Sequence, residues 1–159
     1  MNFILSNDLY AENGILEQLH KIVKNDGYSA PLCLIDEGFS SSDYWQVILT
    51  NLKKEFTEIK IIEVSGKEEP SYDSLRIYLA EARSFDSDIV LGFGGGSCMD
   101  VAKAVGGLLK NDGDPLEYRG FDKIINPGVP VYLIPTTAGT GSESSFNASL
   151  VDTDSNKKL

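Results

Sequence analysis

A cluster of small residues near the middle of the chain could bind a phosphate group. Glycines stand at positions 92, 94, 95 and 96, and Ser97 follows them directly. Because glycine lacks a Cβ atom, its backbone can adopt positive φ angles and approach a ligand closely. The helical pattern after Ser97 would add unpaired backbone N–H groups and a positive dipole end, both of which favour an anion. This segment therefore predicts a phosphate-binding turn at the start of a helix.

The glycine cluster differs from both common phosphate-binding motifs. Gly92-x-Gly94 is followed by Ser97 where the dinucleotide fingerprint has Gly or Ala, and no Gly-Lys-Ser/Thr closes a P-loop. A simpler interpretation is a tight turn in which Ser97 caps the helix and Asp100 completes a capping box. Three consecutive glycines exceed what a cap needs, which favours a ligand or a close backbone contact.

A second polar segment, residues 134–145, follows an apolar run at 131–134. It contains six hydroxyl side chains, two glycines and little apolar bulk, so it cannot contribute much to a core. One interpretation is a flexible polar loop. The other is a loop that hydrogen-bonds a polar ligand at the carboxyl end of a sheet, where open α/β folds bind their ligands.

Asp36 is the third residue of interest, because it comes directly after the apolar run 31–35. A carboxylate there can accept hydrogen bonds from both hydroxyls of a ribose, and it repels a 2′-phosphate. It can equally well cap a turn or a helix. In an ordinary dinucleotide fold this acid lies downstream of the glycines, whereas here it lies upstream, so the chain order is unusual.

The elements that must position these residues alternate between apolar runs and amphipathic patterns. Strands are predicted at 3–5, 31–35, 59–64, 89–91 and 131–134, and helices at 13–23, from Ser41 or Ser42 to 55, at 70–82 and after 97. The second helix is expected to bury Tyr44, Ile48 and Leu52. The alternation predicts an α/β fold, in which a parallel sheet is covered by helices on both faces.

The remaining segments connect or extend this sheet. Residues 111–130 are rich in Gly, Pro, Asp and Asn and predict a long connection with one helical turn at 115–118. Strands at 146–151 and 156–159 are expected to flank a turn at 152–155.

Composition excludes several classes of function. The chain has 159 residues and a formal net charge of −10, which argues against nucleic acid and membrane surfaces as partners. No apolar run approaches the length of a membrane span. Two cysteines suggest reduced thiols in a cytoplasmic protein. The single histidine, His20, excludes a multi-histidine metal site within the chain.

The two polar motifs together carry a resemblance to a known family. Gly94-Gly-Gly-Ser-Cys-Met-Asp-Val-Ala-Lys103 and Ile134-Pro-Thr-Thr-Ala-Gly-Thr-Gly-Ser-Glu143 closely resemble the iron-containing alcohol dehydrogenases. The resemblance covers only that family's N-terminal domain and implies a Rossmann-like parallel sheet with a small β-hairpin extension, in a dehydroquinate synthase-like architecture. Residues 1–159 would then be one NAD-binding α/β domain. The family's helical domain, which holds a divalent metal such as iron or zinc, would lie beyond Leu159.

The resemblance also assigns cofactor-binding residues around the glycines. Gly95, Gly96 and Ser97 match the residues that hold the cofactor pyrophosphate in the family. Asp36 matches the residue at the adenosine ribose, which implies a preference for NAD over NADP. Asp100 matches an acid in the interdomain cleft, near the reacting end of the cofactor.

Further cofactor contacts are implied in the second motif and at the end of the chain. The residues that match the adenine and nicotinamide side of the family's site are Thr136, Thr137, Gly139 and Thr140. Ser145 matches a position close to the nicotinamide ribose, and Lys158 matches a lysine that reaches the cofactor ribose. One departure is visible, because Glu69-Pro-Ser71 stands where many members have Asn-Pro-Thr. No catalytic residue and no metal ligand is assigned within this chain.

The resemblance implies an enzyme that transfers hydride between an alcohol or aldehyde and nicotinamide, and this chain would supply its cofactor domain. The chain alone is expected to be inactive, and a homo-oligomer is left open. One alternative is a stand-alone dinucleotide-binding module without catalysis. Another is a relative of glycerol dehydrogenase or dehydroquinate synthase, which usually lack this form of the threonine-rich loop.

Overall fold

The structure is a computed structural model that describes residues 8–120, 122–155 and 157–158. The predicted strand at 3–5 lies outside the described residues. Four parallel strands form the main sheet: β1 (Pro31–Asp36), β2 (Lys60–Val64), β3 (Ile89–Gly94) and β4 (Val131–Pro135). Two short strands, β5 (Val151–Asp152) and β6 (Lys157–Lys158), form a separate antiparallel pair. The predicted parallel sheet and a hairpin extension are therefore confirmed, but the predicted strand at 146–151 was wrong in its bounds, since residues 146–150 form no strand.

Helices connect the strands of the main sheet: α1 (Leu19–Asn25), α2 (Glu37–Ser40), α3 (Asp43–Glu55), α4 (Tyr72–Ala82) and α5 (Gly96–Leu108). The predicted first helix begins with a 3-10 turn, Ile15–Gln18, because Gly14 precedes it at φ 76°. Another 3-10 turn, Pro115–Tyr118, interrupts the long connection before β4, as predicted. The short helix α2 was not predicted from the sequence.

Both faces of the sheet are packed, which explains why the strands are almost continuously apolar. Successive side chains of β1 point to opposite faces, so Leu32 and Leu34 join one cluster while Cys33 and Ile35 join the other. The first cluster packs residues of α4 and α5 against the sheet, and the second packs residues of α1 and α3. The predicted helices on both faces are confirmed.

The apolar face of α3 is rotated from the predicted one. Trp45, Ile48 and Leu52 are buried, whereas Tyr44 is 43% exposed. The hydroxyl of Ser42 accepts a hydrogen bond from the Trp45 N–H at 3.1 Å, which fixes the start of the helix. The Trp45 ring then packs edge-on against Phe93, with ring centroids 5.0 Å apart. The prediction of Tyr44 as a core residue was wrong.

In the strand order β2-β1-β3-β4, strands are added in opposite directions from β1 and from β3, so the topological switch point lies between these two strands. From β1 the chain adds β2 on one side, and from β3 it adds β4 on the other side. Open α/β sheets bind ligands in the crevice outside the carboxyl ends of the strands at such a switch point. Asp36 ends β1 and Gly94 ends β3, so Asp36 and the glycine cluster meet at this crevice.

Candidate cofactor-binding site

The helix that follows the glycines begins without a side-chain cap. Gly95 is the N-cap of α5, and among the described residues no side chain accepts a hydrogen bond from the first turn. Ser97 is the second helical residue and is exposed, so the predicted Ser97 cap was wrong. The predicted capping box is also absent here, because the Asp100 carboxylate accepts hydrogen bonds from Ser142 and Ser149 instead. The N–H groups of the first turn remain available to an anion.

The inner glycines of the cluster, Gly92 and Gly94, serve close packing and not an unusual backbone conformation. Neither has a positive φ. A Cβ atom added at Gly92 would lie 2.6 Å from the Ala102 Cβ, and one at Gly94 would lie 2.5 Å from the Cys98 Cβ. Both positions are buried between β3 and α5. The close contact that the sequence predicts for the glycine cluster is confirmed here, and it requires no positive φ angle.

The outer glycines, Gly95 and Gly96, face the polar loop instead of the core. A Cβ atom at Gly95 would lie 3.1 Å from the Thr137 Oγ1 atom, and one at Gly96 would lie 3.2 Å from the Thr140 Cβ. Both threonines are exposed, so their side chains can move aside. The two glycines therefore form a cradle with the threonine-rich loop, in which an added Cβ would press against the threonine side chains.

The threonine-rich loop is attached to the glycine turn at its first residue. The Thr136 N–H donates to the Gly94 carbonyl at 3.0 Å, which continues the pairing of β3 with β4 for one residue. Gly139 and Gly141 then adopt left-handed φ angles of 100° and 65°, which side chains would disfavour. After Gly141 the chain forms a 3-10 turn, Ser142–Ser144. Thr136, Thr137, Gly139 and Thr140 are exposed beside the cradle.

Asp36 is both a cap and a neighbour of the crevice. Its Oδ1 atom accepts a hydrogen bond from the Gly38 N–H at 2.9 Å and so caps α2. A Cβ at Gly66, in the loop after β2, would lie 3.1 Å from the Oδ2 atom. Among the described residues, no donor hydrogen-bonds this second oxygen. The capping interpretation and the ribose interpretation are therefore compatible, with one oxygen for each.

An ion pair that the sequence reading did not single out joins α5 to the end of the loop. The Lys103 Nζ atom lies 2.8 Å from the Asp100 Oδ1 atom, and the two side chains are 9% and 17% exposed. Lys103 also donates to the Ser142 carbonyl at 3.0 Å and to the Ser145 Oγ at 3.0 Å. Asp100 thus contacts Ser142 of the loop, and Ser145 contacts Lys103, the ion-pair partner of Asp100. The only available sequence signal was the spacing of three residues between an acid and a base on one helix.

Lys158 lies in β6, but its side chain lies outside what the structure describes. Its predicted contact with a cofactor ribose therefore stays a prediction. The backbone strand pairs Val151 with Lys158 and Asp152 with Lys157. A backbone bridge also joins Ser71, the N-cap of α4, to Val151, so the hairpin lies beside α4.

The two cysteines are free and buried. Burial, and secondarily the Asp36 carboxylate, raises the pKa of the Cys98 thiol to about 12. Burial alone raises the pKa of the Cys33 thiol to about 12. Because the thiolate is the reactive form, neither cysteine is suited to be a nucleophile at neutral pH.

The described residues contain neither a metal-binding cluster nor a membrane-spanning helix. Within residues 8–120, 122–155 and 157–158, no three or more His, Cys, Asp or Glu side chains are grouped so that they could hold a metal ion. Within the same ranges, no helix has both the length and the apolar character needed to cross a membrane. The described residues therefore do not fit the metal that the resemblance implies for a complete enzyme, whereas the cradle fits a dinucleotide.

Comparison with known proteins agrees with the two motifs. A family profile described as iron-containing alcohol dehydrogenase matches residues 6–159. The sulfoacetaldehyde reductase of Bilophila wadsworthia is 35% identical over 145 residues, which are 91% of this chain and 37% of that protein. The NAD-dependent methanol dehydrogenase of Bacillus methanolicus is 28% identical over 158 residues, which are 99% of this chain and 41% of that protein.

A solved structure extends the similarity to three dimensions. The iron-containing alcohol dehydrogenase of Thermotoga maritima superposes with a TM-score of 0.83 at 32% identity, over 99% of this chain and 44% of that one. The chain thus spans about two fifths of the length of the curated relatives described above. The predicted resemblance and fold class are both confirmed.

Proposed function

Because the chain belongs to the iron-containing alcohol dehydrogenase family, we propose that it is the NAD-binding α/β domain of a metal-dependent alcohol dehydrogenase. The substrate would be a small alcohol or aldehyde. The helical domain with the metal ligands would belong to the part of the relatives' length that this chain does not span. The cytoplasm is the proposed location, which the two free buried thiols support.

The observation that carries this proposal is the uncapped start of α5 at the switch point of the sheet. A helix of 13 residues presents unpaired N–H groups at Gly96, Ser97 and Cys98, and its dipole favours a negative charge there. Gly95 and Gly96 leave room for a pyrophosphate to approach the backbone. Thr137 and Thr140 stand opposite with hydroxyl groups that can donate to phosphate or sugar oxygens.

The carboxylate of Asp36 supports the choice of NAD over NADP. Its Oδ1 atom is occupied by the Gly38 N–H, and its Oδ2 atom is free to accept a ribose hydroxyl. A 2′-phosphate in the same place would meet a like charge. For unit charges roughly 4 Å apart, the repulsion is about 1 kcal/mol in bulk water and about 4 kcal/mol at an effective dielectric near 20.

The chemistry divides between this chain and the groups it would bind. The nicotinamide ring, when bound, donates or accepts the hydride. The residues of this chain bind the pyrophosphate, orient the riboses and keep the cofactor at the carboxyl edge of the sheet. Since no group of side chains that could hold a metal ion is found among the described residues, we propose that the chain alone does not turn over.

The test is a calorimetric titration of the 159-residue chain with NADH, combined with an assay for alcohol oxidation in the presence of iron(II) or zinc. Weak NADH binding without turnover is expected, because the proposed pyrophosphate and ribose contacts lie in this chain, whereas no metal site is found among the described residues. The Gly95→Val variant serves as the control for specific binding. Metal-dependent turnover by the purified chain, or equal binding by the variant, would contradict the proposal.

A further inference from the structure

Lys103 is the most unusual cation of the described structure, because its side chain is only 9% exposed. A buried ammonium group needs several partners to replace its water. Lys103 has one carboxylate partner, the Asp100 Oδ1 atom at 2.8 Å. Its other partners all lie in a single irregular segment, namely the carbonyls of Ser142, Ser145 and Asn147 and the hydroxyl of Ser145.

Asp100 contacts the same segment through both of its oxygens. The Oδ1 atom accepts a hydrogen bond from the Ser142 hydroxyl at 2.7 Å, and the Oδ2 atom accepts one from the Ser149 N–H at 3.2 Å. Residues 142–149 form no strand and only one 3-10 turn, Ser142–Ser144. The ion pair therefore replaces the backbone hydrogen bonds that regular secondary structure would otherwise supply.

The threonine-rich loop is thus fixed at both of its ends, at the start to the last residue of β3 and at the end to α5. At its start, the Thr136 N–H is bonded to the Gly94 carbonyl. At its end, the 3-10 turn is bonded to Asp100 and Lys103, which lie about one and two turns into α5. The residues between these two points face the glycine cradle, and Gly139 and Gly141 give this part its left-handed bends.

We infer that Asp100 and Lys103 are positioning residues, which hold the threonine-rich loop at the distance from Gly95 and Gly96 that a dinucleotide requires. Neither side chain needs to touch the cofactor. This inference rests on the proposed function, and it changes the role that the family resemblance implied for Asp100. Asp100 acts by accepting hydrogen bonds from Ser142 and Ser149, and not by contacting the cofactor in the cleft.

Three variants of the 159-residue chain test the inference. Lys103→Met removes the ammonium group and leaves Asp100 buried without its counterion. Asp100→Asn combined with Lys103→Met removes both charges, so the penalty for an unpaired buried charge disappears. Arg76→Met is the control, because Arg76 lies on a different helix, α4, and makes a bidentate ion pair with Asp114 at 2.6 and 3.0 Å.

Three measurements are compared: the NADH dissociation constant, the thermal midpoint, and hydrogen exchange of residues 136–149. In Lys103→Met we expect faster exchange in this segment and NADH binding at least about tenfold weaker, which corresponds to about 1.4 kcal/mol. In the double variant the thermal midpoint should recover towards that of the wild type, while NADH binding stays weak. In Arg76→Met the midpoint should fall and the affinity should not change.

Several results would overturn the inference. Wild-type affinity in the double variant would mean that the ion pair contributes stability only. Unchanged exchange of residues 136–149 in Lys103→Met would mean that the loop does not depend on the pair, whatever happens to NADH. Failure of the wild-type chain itself to bind NADH would instead contradict the proposed function, and the exchange data would still decide whether the pair holds the loop.

Discussion

The two halves of the glycine cluster look alike in sequence and do different things. Gly92 and Gly94 are buried, and a Cβ atom there would come within 2.6 Å of a neighbour in α5. Gly95 and Gly96 are partly exposed, and a Cβ atom there would lie 3.1 and 3.2 Å from side chains of exposed threonines. The first pair brings β3 and α5 together, whereas the second lets the threonine-rich loop approach the start of α5. One run of glycines therefore serves the fold at one end and the site at the other.

The largest effect is expected at the inner pair. In Gly94→Val, the new Cβ would lie 2.5 Å from the Cys98 Cβ and 3.0 Å from the Asp36 Cβ, so β3 and α5 would have to separate. We expect a loss of about 3 kcal/mol or more in the free energy of unfolding, as is found for overpacked cores. Urea unfolding would measure it. A stability close to that of the wild type would show that the contact is not limiting.

At the outer pair, Gly95→Val should weaken NADH binding by about a hundredfold, or about 2.8 kcal/mol. The branched side chain would occupy the cradle, while the φ angle of −79° at Gly95 is accessible to valine. The free energy of unfolding should change by only about 1 kcal/mol, because Thr137 is exposed and can turn away. Calorimetry and urea unfolding of the same sample separate the two effects. Unchanged affinity in a folded variant would remove the cradle from the site.

A smaller effect is expected at Asp36, on the other side of the crevice. Asp36→Gly removes the repulsion and the ribose contact together, so it should weaken NAD, improve NADP and narrow their ratio by about tenfold. Asp36→Asn is the sharper variant, because asparagine also caps helices well and can keep the bond to the Gly38 N–H. If Asp36 only caps α2, Asp36→Gly should cost a few tenths of a kcal/mol and neither variant should change the ratio of the two dissociation constants.

The smallest effect is expected at Cys98, a buried residue of α5 that packs against Gly94. Because the pKa of the Cys98 thiol is about 12 in the folded chain and 9.0 is its ordinary value, the unfolded state ionises first. The stabilising contribution is complete below pH 9 and is lost as the pH rises from 9 to 12, by about 1 kcal/mol at pH 10. Urea unfolding from pH 7 to 10 would measure this, and Cys98→Ala should reduce the slope by about half, because the Cys33 thiol contributes in the same way. An equal slope in that variant would assign the pH dependence to other groups.

Much of the fold could be predicted because burial on both faces leaves a plain signal in the sequence. Strands β1 and β3 appear as continuous apolar runs, and Asp36 and the glycines mark their carboxyl ends. The rotation of α3 could not be predicted, because the choice of Trp45 over Tyr44 depends on Phe93, a residue of another element.

The sequence places the residues of the candidate site near one another, but it does not reveal the residues that hold the threonine-rich loop. The cradle follows from residues that are close in sequence, but the role of Lys103 does not. Its loop partners lie 39 to 44 residues downstream, and most of them are backbone carbonyls, which every residue possesses. The different roles of the inner and outer glycines could not be predicted either, because they depend on the distance between β3 and α5.

The switch point of the sheet also has a consequence for how the chain folds. Residues 31–64 hold the neighbouring strands β1 and β2, residues 89–135 hold β3 and β4, and the pairing of β1 with β3 joins the two pairs of strands into one sheet. Within each pair the two strands are separated by a short stretch of chain. A longer stretch separates β1 from β3, so we expect their pairing to form later. A dinucleotide bound across this seam would stabilise only the docked form. Partial opening of the protein along β1 and β3 should therefore become rarer as the ligand concentration rises.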